Sequence, residues 1–179
     1  MSELAIYGVD DPDRMLAQTT DGAEIARLLA GKGVRFERWH ASLAITADMQ
    51  PDTILEAYAE DIGRLKREGG YLAADVISMF PDHPDRRALR EKFLSEHTHA
   101  EDEVRFFVSG EGLFSLHIGD RVYCLRCCQD DLISVPANTT HWFDMGDAPR
   151  FTAIRLFTNP AGWVAQFTGS DIADRFPRF

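Results

Sequence analysis

No stretch of this chain approaches the roughly 18 to 20 consecutive apolar residues that a membrane-spanning helix requires, so no membrane location is expected. The opening MSELAIYGVDDPDRM has acids early and lacks a basic start followed by an apolar block. It is therefore not read as a secretory signal, and the cytoplasm is the expected compartment. Basic residues are also in short supply. Nineteen Lys and Arg against twenty-nine Asp and Glu give a net charge of −10, which repels a phosphate backbone, so nucleic acid is not an expected partner. Cysteine is scarcer still: Cys124, Cys127 and Cys128 all lie in CLRCC. With no second CxxC and no distant partner they complete neither a zinc site nor a disulfide framework, and they are expected to be reduced, mostly buried strand thiols. Repeats, low-complexity segments and a convincing linker are absent too, and 179 residues suit one domain with an elaborated end.

What is present divides into a mixed first half and a β-rich second half. ELAIYGV alternates briefly, and DGAEIARLLAGKG offers an acidic first turn, an apolar stripe at Ile25, Leu28 and Leu29, and glycines that stop a helix. VRFERW alternates as a strand. In QPDTILEAYAEDIGRLKREGG, Pro51 stands early, Ile54, Tyr58, Ile62 and Leu65 recur at helical spacing, and Gly69 and Gly70 terminate, which predicts one continuous helix. DVISMF reads as a short strand and HPDRRALREKFL as a short helix. From Glu103 onward the runs EVRFFVSG, GLFSLHIGD, RVYCLRC, DLISVP, HWFDMG, RFTAIRLF and WVAQF are closely spaced strands, the pattern of a sandwich or barrel. The expectation is one domain over 1–179: a mixed α/β elaboration over about 1–92 packed outside a β-barrel core over about 93–168, then a tail over 169–179.

The chemistry concentrates in EHTHAEDEVRFFVSG, which begins at Glu96. Side chains alternate faces along a strand, so His97 and His99 can point the same way, and Glu103 can reach the same point. Two imidazoles and a carboxylate hold a divalent metal while leaving positions open. His141, after SVPANTTHW has turned at Pro136, is a fourth candidate from another strand. Arg105 lies two residues beyond Glu103 and should share its inward face, where a fixed positive charge favours an anionic substrate. Glu96 is a candidate hydrogen-bond acceptor or base beside a ligating imidazole. Glu101 and Asp102 read as a solvated turn, Phe106, Phe107, Val108 and Leu116 as core, and His40, His83 and His117 as non-ligands.

These residues fit a known pattern. His97, His99, Glu103 and Gly110 match HxHx3Ex6G, the first motif of the cupin superfamily, and Pro136 with His141 matches the core of the second. Glu91, Asn138 and Met145 replace the usual Gly, Gly and Asn, departures that point to a particular branch. That branch is the acireductone dioxygenase family, which the chain resembles in GVRFERW, DVISMF, ALREKFLSEHTHAEDEVRFFVSGEGLF, LHIGD, DLISVPANTTHWFDMG, FTAIRLF and GWVAQFTG, across most of 33 to 169. The resemblance implies a mostly β, cupin-type double-stranded β-helix, or jelly-roll barrel. It also implies one Fe2+ or Ni2+ per chain held by His97, His99, Glu103 and His141, and a pocket lined by Phe93, Phe143 and Trp163. The implied substrates are the acireductone 1,2-dihydroxy-3-keto-5-methylthiopentene and O2, cleaved in methionine salvage. Iron implies formate and 4-methylthio-2-oxobutanoate, and nickel implies formate, CO and 3-methylthiopropanoate. The rival readings are a cupin metal-dependent isomerase with the same ligands and a non-catalytic small-molecule-binding cupin. A monomer or small homo-oligomer is expected.

Overall fold

The computed structural model describes residues 1–41, 45, 49–159 and 163–179. The elements run β1 (Glu3–Gly8), β2 (Asp11–Thr19), α1 (Gly22–Ala30), β3 (Arg35–Arg38), α2 (Pro51–Ala57), α3 (Ala59–Gly69), β4 (Ala73–Met79) and α4 (Arg86–Leu94). They continue with β5 (His97–Thr98), β6 (Glu103–Ile118), β7 (Arg121–Cys128), β8 (Asp131–Val135), β9 (Thr140–Asp144), β10 (Phe151–Phe157) and β11 (Gln166–Phe167), and close on a 3-10 turn at Ile172–Arg175. Among the described residues all strand pairs are antiparallel. The mostly β, jelly-roll architecture is the one expected. Among the described residues no helix is long and apolar enough to cross a membrane.

The two runs EVRFFVSG and GLFSLHIGD form one 16-residue strand, β6, instead of two. Its first part pairs with β8 and β10, and its second part with β7 and β9, so a single strand belongs to both sheets. Gly110 marks the crossing. It sits at φ 75, and a Cβ there would stand 1.9 Å from the Arg150 carbonyl oxygen, so only glycine fits. Beyond β6 one sheet runs outward through β7 and β1 to β2, and the other through β10 to β4 and through β8 to β3. The amino-terminal strands thus extend both sheets at their outer edges.

Alternation along β6 separates two apolar environments. Val104, Phe106 and Val108 face outward into a cluster with Ile54 and Tyr58 near α2 and Ile62 and Leu65 of α3, while Phe107, Phe114 and Leu116 face the barrel interior. Phe106 stacks on Trp39 and meets Tyr58 edge-on, both at 4.7 Å. Burial of each such ring contributes about 1.5 to 3 kcal/mol. Tyr58 also corrects the expected single helix. At φ −113 and ψ 19 it breaks α2 from α3, because seating its ring between Trp39 and Phe106 turns the chain out of helical geometry. The strand β2 has no counterpart in the sequence reading: as an outer edge strand it is exposed along most of its length, so DPDRMLAQT carries no apolar alternation to reveal it. The three cysteines are free, two of them buried in β7, and burial pushes the Cys124 thiol up to about 11.

Candidate metal centre and its cavity

Three strands bring the histidines and the carboxylate together. His97 opens β5 and lies directly opposite His141 of β9, and His141 in turn lies opposite Leu116 of β6. Glu103 opens β6 at the other end of a short turn that carries His99. The chain enters β9 through a turn closed by Thr139 N–H on the Pro136 carbonyl and Asn138 N–H on the His99 carbonyl. Asn138 sits at φ 62, in the left-handed region that glycine favours and asparagine tolerates best among the others, which accounts for its replacing the usual motif glycine.

One donor atom from each of His97, His99, Glu103 and His141 lies within 4.8 Å of the others, and all four residues are buried. His97 Nδ1 bonds the Ser95 carbonyl at 2.7 Å, and His141 Nδ1 bonds the Thr139 carbonyl at 2.8 Å. A carbonyl only accepts, so each Nδ1 carries the hydrogen and each Nε2 offers a lone pair inward. The Nε2 atoms of His99 and His141 lie 3.0 Å and 3.1 Å from the same Glu103 oxygen. Acceptors so close repel unless a cation, proton or metal ion, sits between them. Burial and neighbouring His141 push His97 down to about 4, so it presents a neutral ring. Burial also opposes charge on His99, but the Glu103 carboxylate outweighs it and pushes His99 up. For Glu103 burial raises the pKa, yet Arg105 and the two imidazoles hold it well below the usual carboxylate range. Three imidazoles and one carboxylate whose donor atoms converge within 4.8 Å fit a divalent first-row transition metal.

His97, His99 and Glu103 form one end of a cavity of about 340 Å³. Arg105 projects into it, 6 % exposed, with Nη2 donating to Glu103 Oε1 at 2.8 Å. Its guanidinium lies 4.5 Å from the Phe143 ring centroid and 5.8 Å from that of Trp163, and its buried Nε has no hydrogen-bond partner. Phe93, Phe143, Met79 and Phe151 supply apolar wall. Trp163 lies 6.2 Å from the His99 ring and donates its indole N–H to the Asp102 carbonyl at 2.9 Å.

The model of the ARD/ARD' family matches residues 4–165. The chain belongs to the ARD/ARD' family. Two relatives bearing the name acireductone dioxygenase cover nearly its whole length. That of Synechococcus sp. is 63% identical over 99% of this chain and 98% of its own, and that of Alcanivorax borkumensis is 57% identical over the same shares. A solved structure, acireductone dioxygenase from Bacillus anthracis with cadmium ion in its active center, superposes with a TM-score of 0.81 at 30% identity, covering 93% of this chain and 98% of that one.

Within this ARD/ARD' family chain the residues singled out from sequence fall into two groups. His97, His99, Glu103, His141, Arg105, Phe93, Phe143 and Trp163 surround one centre and its cavity. Glu96 does not line the cavity. Its carboxylate is bonded by His117 Nδ1 at 3.2 Å and Thr168 Oγ1 at 3.3 Å, and its carbonyl accepts the Thr168 N–H. The bonds that orient His97 and His141 come from backbone carbonyls, which carry no sequence signal. Asp102 is no solvated turn residue: it accepts the Ala137 N–H at 2.9 Å and the Tyr71 hydroxyl at 3.1 Å, pinning the turn beneath Trp163. Sequence reading missed Lys92, Asp75 and Arg155 on the cavity lining. Arg155 had one available signal: like Arg105 it is a charge set inside a β run, RFTAIRLF, with apolar residues on both sides.

Proposed function

We propose that this chain is an acireductone dioxygenase that cleaves 1,2-dihydroxy-3-keto-5-methylthiopentene with O2 in methionine salvage, in the cytoplasm. The observation that carries the reading is the convergence of three imidazoles and one carboxylate within 4.8 Å in a chain of this family. His97, His99, Glu103 and His141 would hold an Fe2+ or Ni2+, which would supply Lewis-acid chemistry to the oxygens of an enediol next to a ketone. The products are formate and 4-methylthio-2-oxobutanoate for the iron-loaded chain, and formate, CO and 3-methylthiopropanoate for the nickel-loaded chain.

The protein's own residues divide the remaining work. His97 and His141 keep their protons on Nδ1, facing backbone carbonyls, so both rings hold a fixed orientation through turnover. Arg105, walled by aromatic rings, stabilises the ionised enediol and the negative charge that develops on oxygen. Phe93, Phe143 and Trp163 receive the methylthio tail and exclude water. Glu96 acts through position. Bonded to Thr168 on one side and His117 on the other, it ties the segment after β11 to the strand that carries His97.

The test is oxygen uptake with an acireductone by metal-loaded protein, alongside His97→Ala and Glu103→Ala variants checked for folding. Loss of metal and of uptake is expected in both. Full uptake with metal retained would overturn the ligand assignment, and turnover under strict anaerobiosis would favour an isomerase.

A further inference from the structure

Beside its aromatic residues the cavity wall carries a charge arrangement that metal binding does not explain. On adjacent strands β4, β10 and β6, Asp75, Arg155 and Arg105 stand directly opposite one another in register, and all three line the cavity. Directly opposed residues on one face have Cβ atoms about 4.5 to 5.5 Å apart, and like charges there destabilise a sheet. The two arginines are nevertheless neighbours. Each is only partly satisfied by protein. Arg155 gives Nε and Nη2 to Asp75 at 2.9 Å and 2.6 Å, and Arg105 gives Nη2 to Glu103. The Nε of Arg105 is buried without any partner, and no hydrogen bond of Arg155 Nη1 is found among the described residues. A buried donor left unmatched is costly, and two guanidinium forks side by side against aromatic walls match a planar carboxylate.

The reaction supplies such a ligand. Cleaving one C–C bond with insertion of both atoms of O2 turns a monoanionic enediol into two carboxylates, formate and a 2-oxo acid, and releases one proton. Negative charge in the cavity grows during turnover. We infer that Arg105 and Arg155 form a carboxylate subsite that takes the 2-oxo acid product, with Asp75 moderating its affinity so that the product can leave. This rests on the dioxygenase reading above. Arg105 is bonded to the donor Glu103, whereas Arg155, on β10, is bonded to Asp75 and has its guanidinium 5.6 Å from the Trp163 ring centroid. A carboxylate bridging the two arginines is therefore drawn from the buried Arg105, which is bonded to Glu103, toward the partly exposed Arg155.

The experiment is calorimetric titration of metal-loaded protein with 2-oxohexanoate, and with its neutral methyl ester, at matched metal content so that chelation by the ion cancels between variants. The acid is expected to bind at least tenfold more tightly than the ester. Arg155→Gln should weaken the acid at least tenfold and leave the ester unchanged, and Arg155→Lys should recover part of the loss. Asp75→Asn should tighten the acid severalfold, because it frees Arg155. Equal acid affinity in wild type and Arg155→Gln would overturn the subsite, as would weakening by both Arg155→Gln and Asp75→Asn, the mark of a purely structural pair. If the acid binds through Arg155 but the protein consumes no O2 with an acireductone, the dioxygenase reading fails and the subsite stands. Normal oxygen uptake with an acid affinity indifferent to Arg155 gives the reverse.

Discussion

At the donor end of the cavity, four side chains meet with every outward-facing Nδ1 of His97 and His141 tied to a backbone carbonyl, whereas along β4, β10 and β6 the charged side chains stand in a line with hydrogen-bonding capacity left over. In the first region His97 and His141 are held by backbone carbonyls, and among the described residues there only the Nδ1 of His99 is buried without a partner. The second is held by paired charges and open toward the cavity. The chain as a whole carries −10, yet Lys92, Arg105 and Arg155 outnumber Asp75 and Glu103 on the cavity lining, so the interior attracts what the surface repels.

The sharpest way to break the contrast is at the donor end. His141→Ala is expected to abolish metal retention and lower oxygen consumption by roughly a hundredfold or more, read by elemental analysis and an oxygen electrode. Intact activity would show that the cage needs only three ligands. Gly110→Ala tests the joint where β6 passes between sheets. Its Cβ would be forced against the Arg150 carbonyl at a left-handed φ, and a loss of about 3 to 5 kcal/mol is expected from denaturant midpoints. At the charged wall, Arg105→Lys keeps the charge but loses the fork, and oxygen consumption should fall about 10- to 100-fold with metal still bound. An unchanged rate would make Arg105 a structural partner of Glu103 only.

Burial opposes charge on His99, but Glu103 outweighs it and raises the His99 pKa from its ordinary value, so a metal ion competes with a proton there. Apparent metal affinity should therefore fall as pH drops, by at most about tenfold per unit for this one proton. Calorimetry in buffers of different ionisation enthalpy should report proton release on loading, and its absence at pH 6 would contradict the assignment. The smallest effect is expected at the Trp163 strap. Trp163→Phe keeps an aromatic wall but loses the bond to the Asp102 carbonyl, about 1 kcal/mol, visible as faster amide exchange around Thr168 with little change in metal content.

The same contrast explains what the sequence made legible. The donor cluster could be read because three of its members lie within seven positions and strand parity aims them together, leaving only His141 to be found from another strand. The interior orientation of Arg105 followed from the same parity and is reflected in Val104, Phe106 and Val108 facing the other way. The row of Asp75, Arg155 and Arg105 was invisible because it exists only across strands far apart in the chain, in a register no local pattern encodes. Tyr58 shows a related limit: its helical spacing was real, but its ring was claimed by Trp39 and Phe106, and tertiary packing overrode local periodicity. Edge strand β2 escaped because solvent imposes no alternation on it.

The double membership of β6 bears on how the protein is made. A ribosome delivers His97, His99 and Glu103 well before His141, and the partner β10 emerges later still. Until residue 157 is available, β6 lacks one of its two neighbours in the sheet that carries Arg105, and its apolar outer face has no finished bed. Pairings so distant in sequence form late and slowly. The cage of four donors is therefore complete only after the strands that carry and flank His141 have emerged, so it depends on pairings that close late.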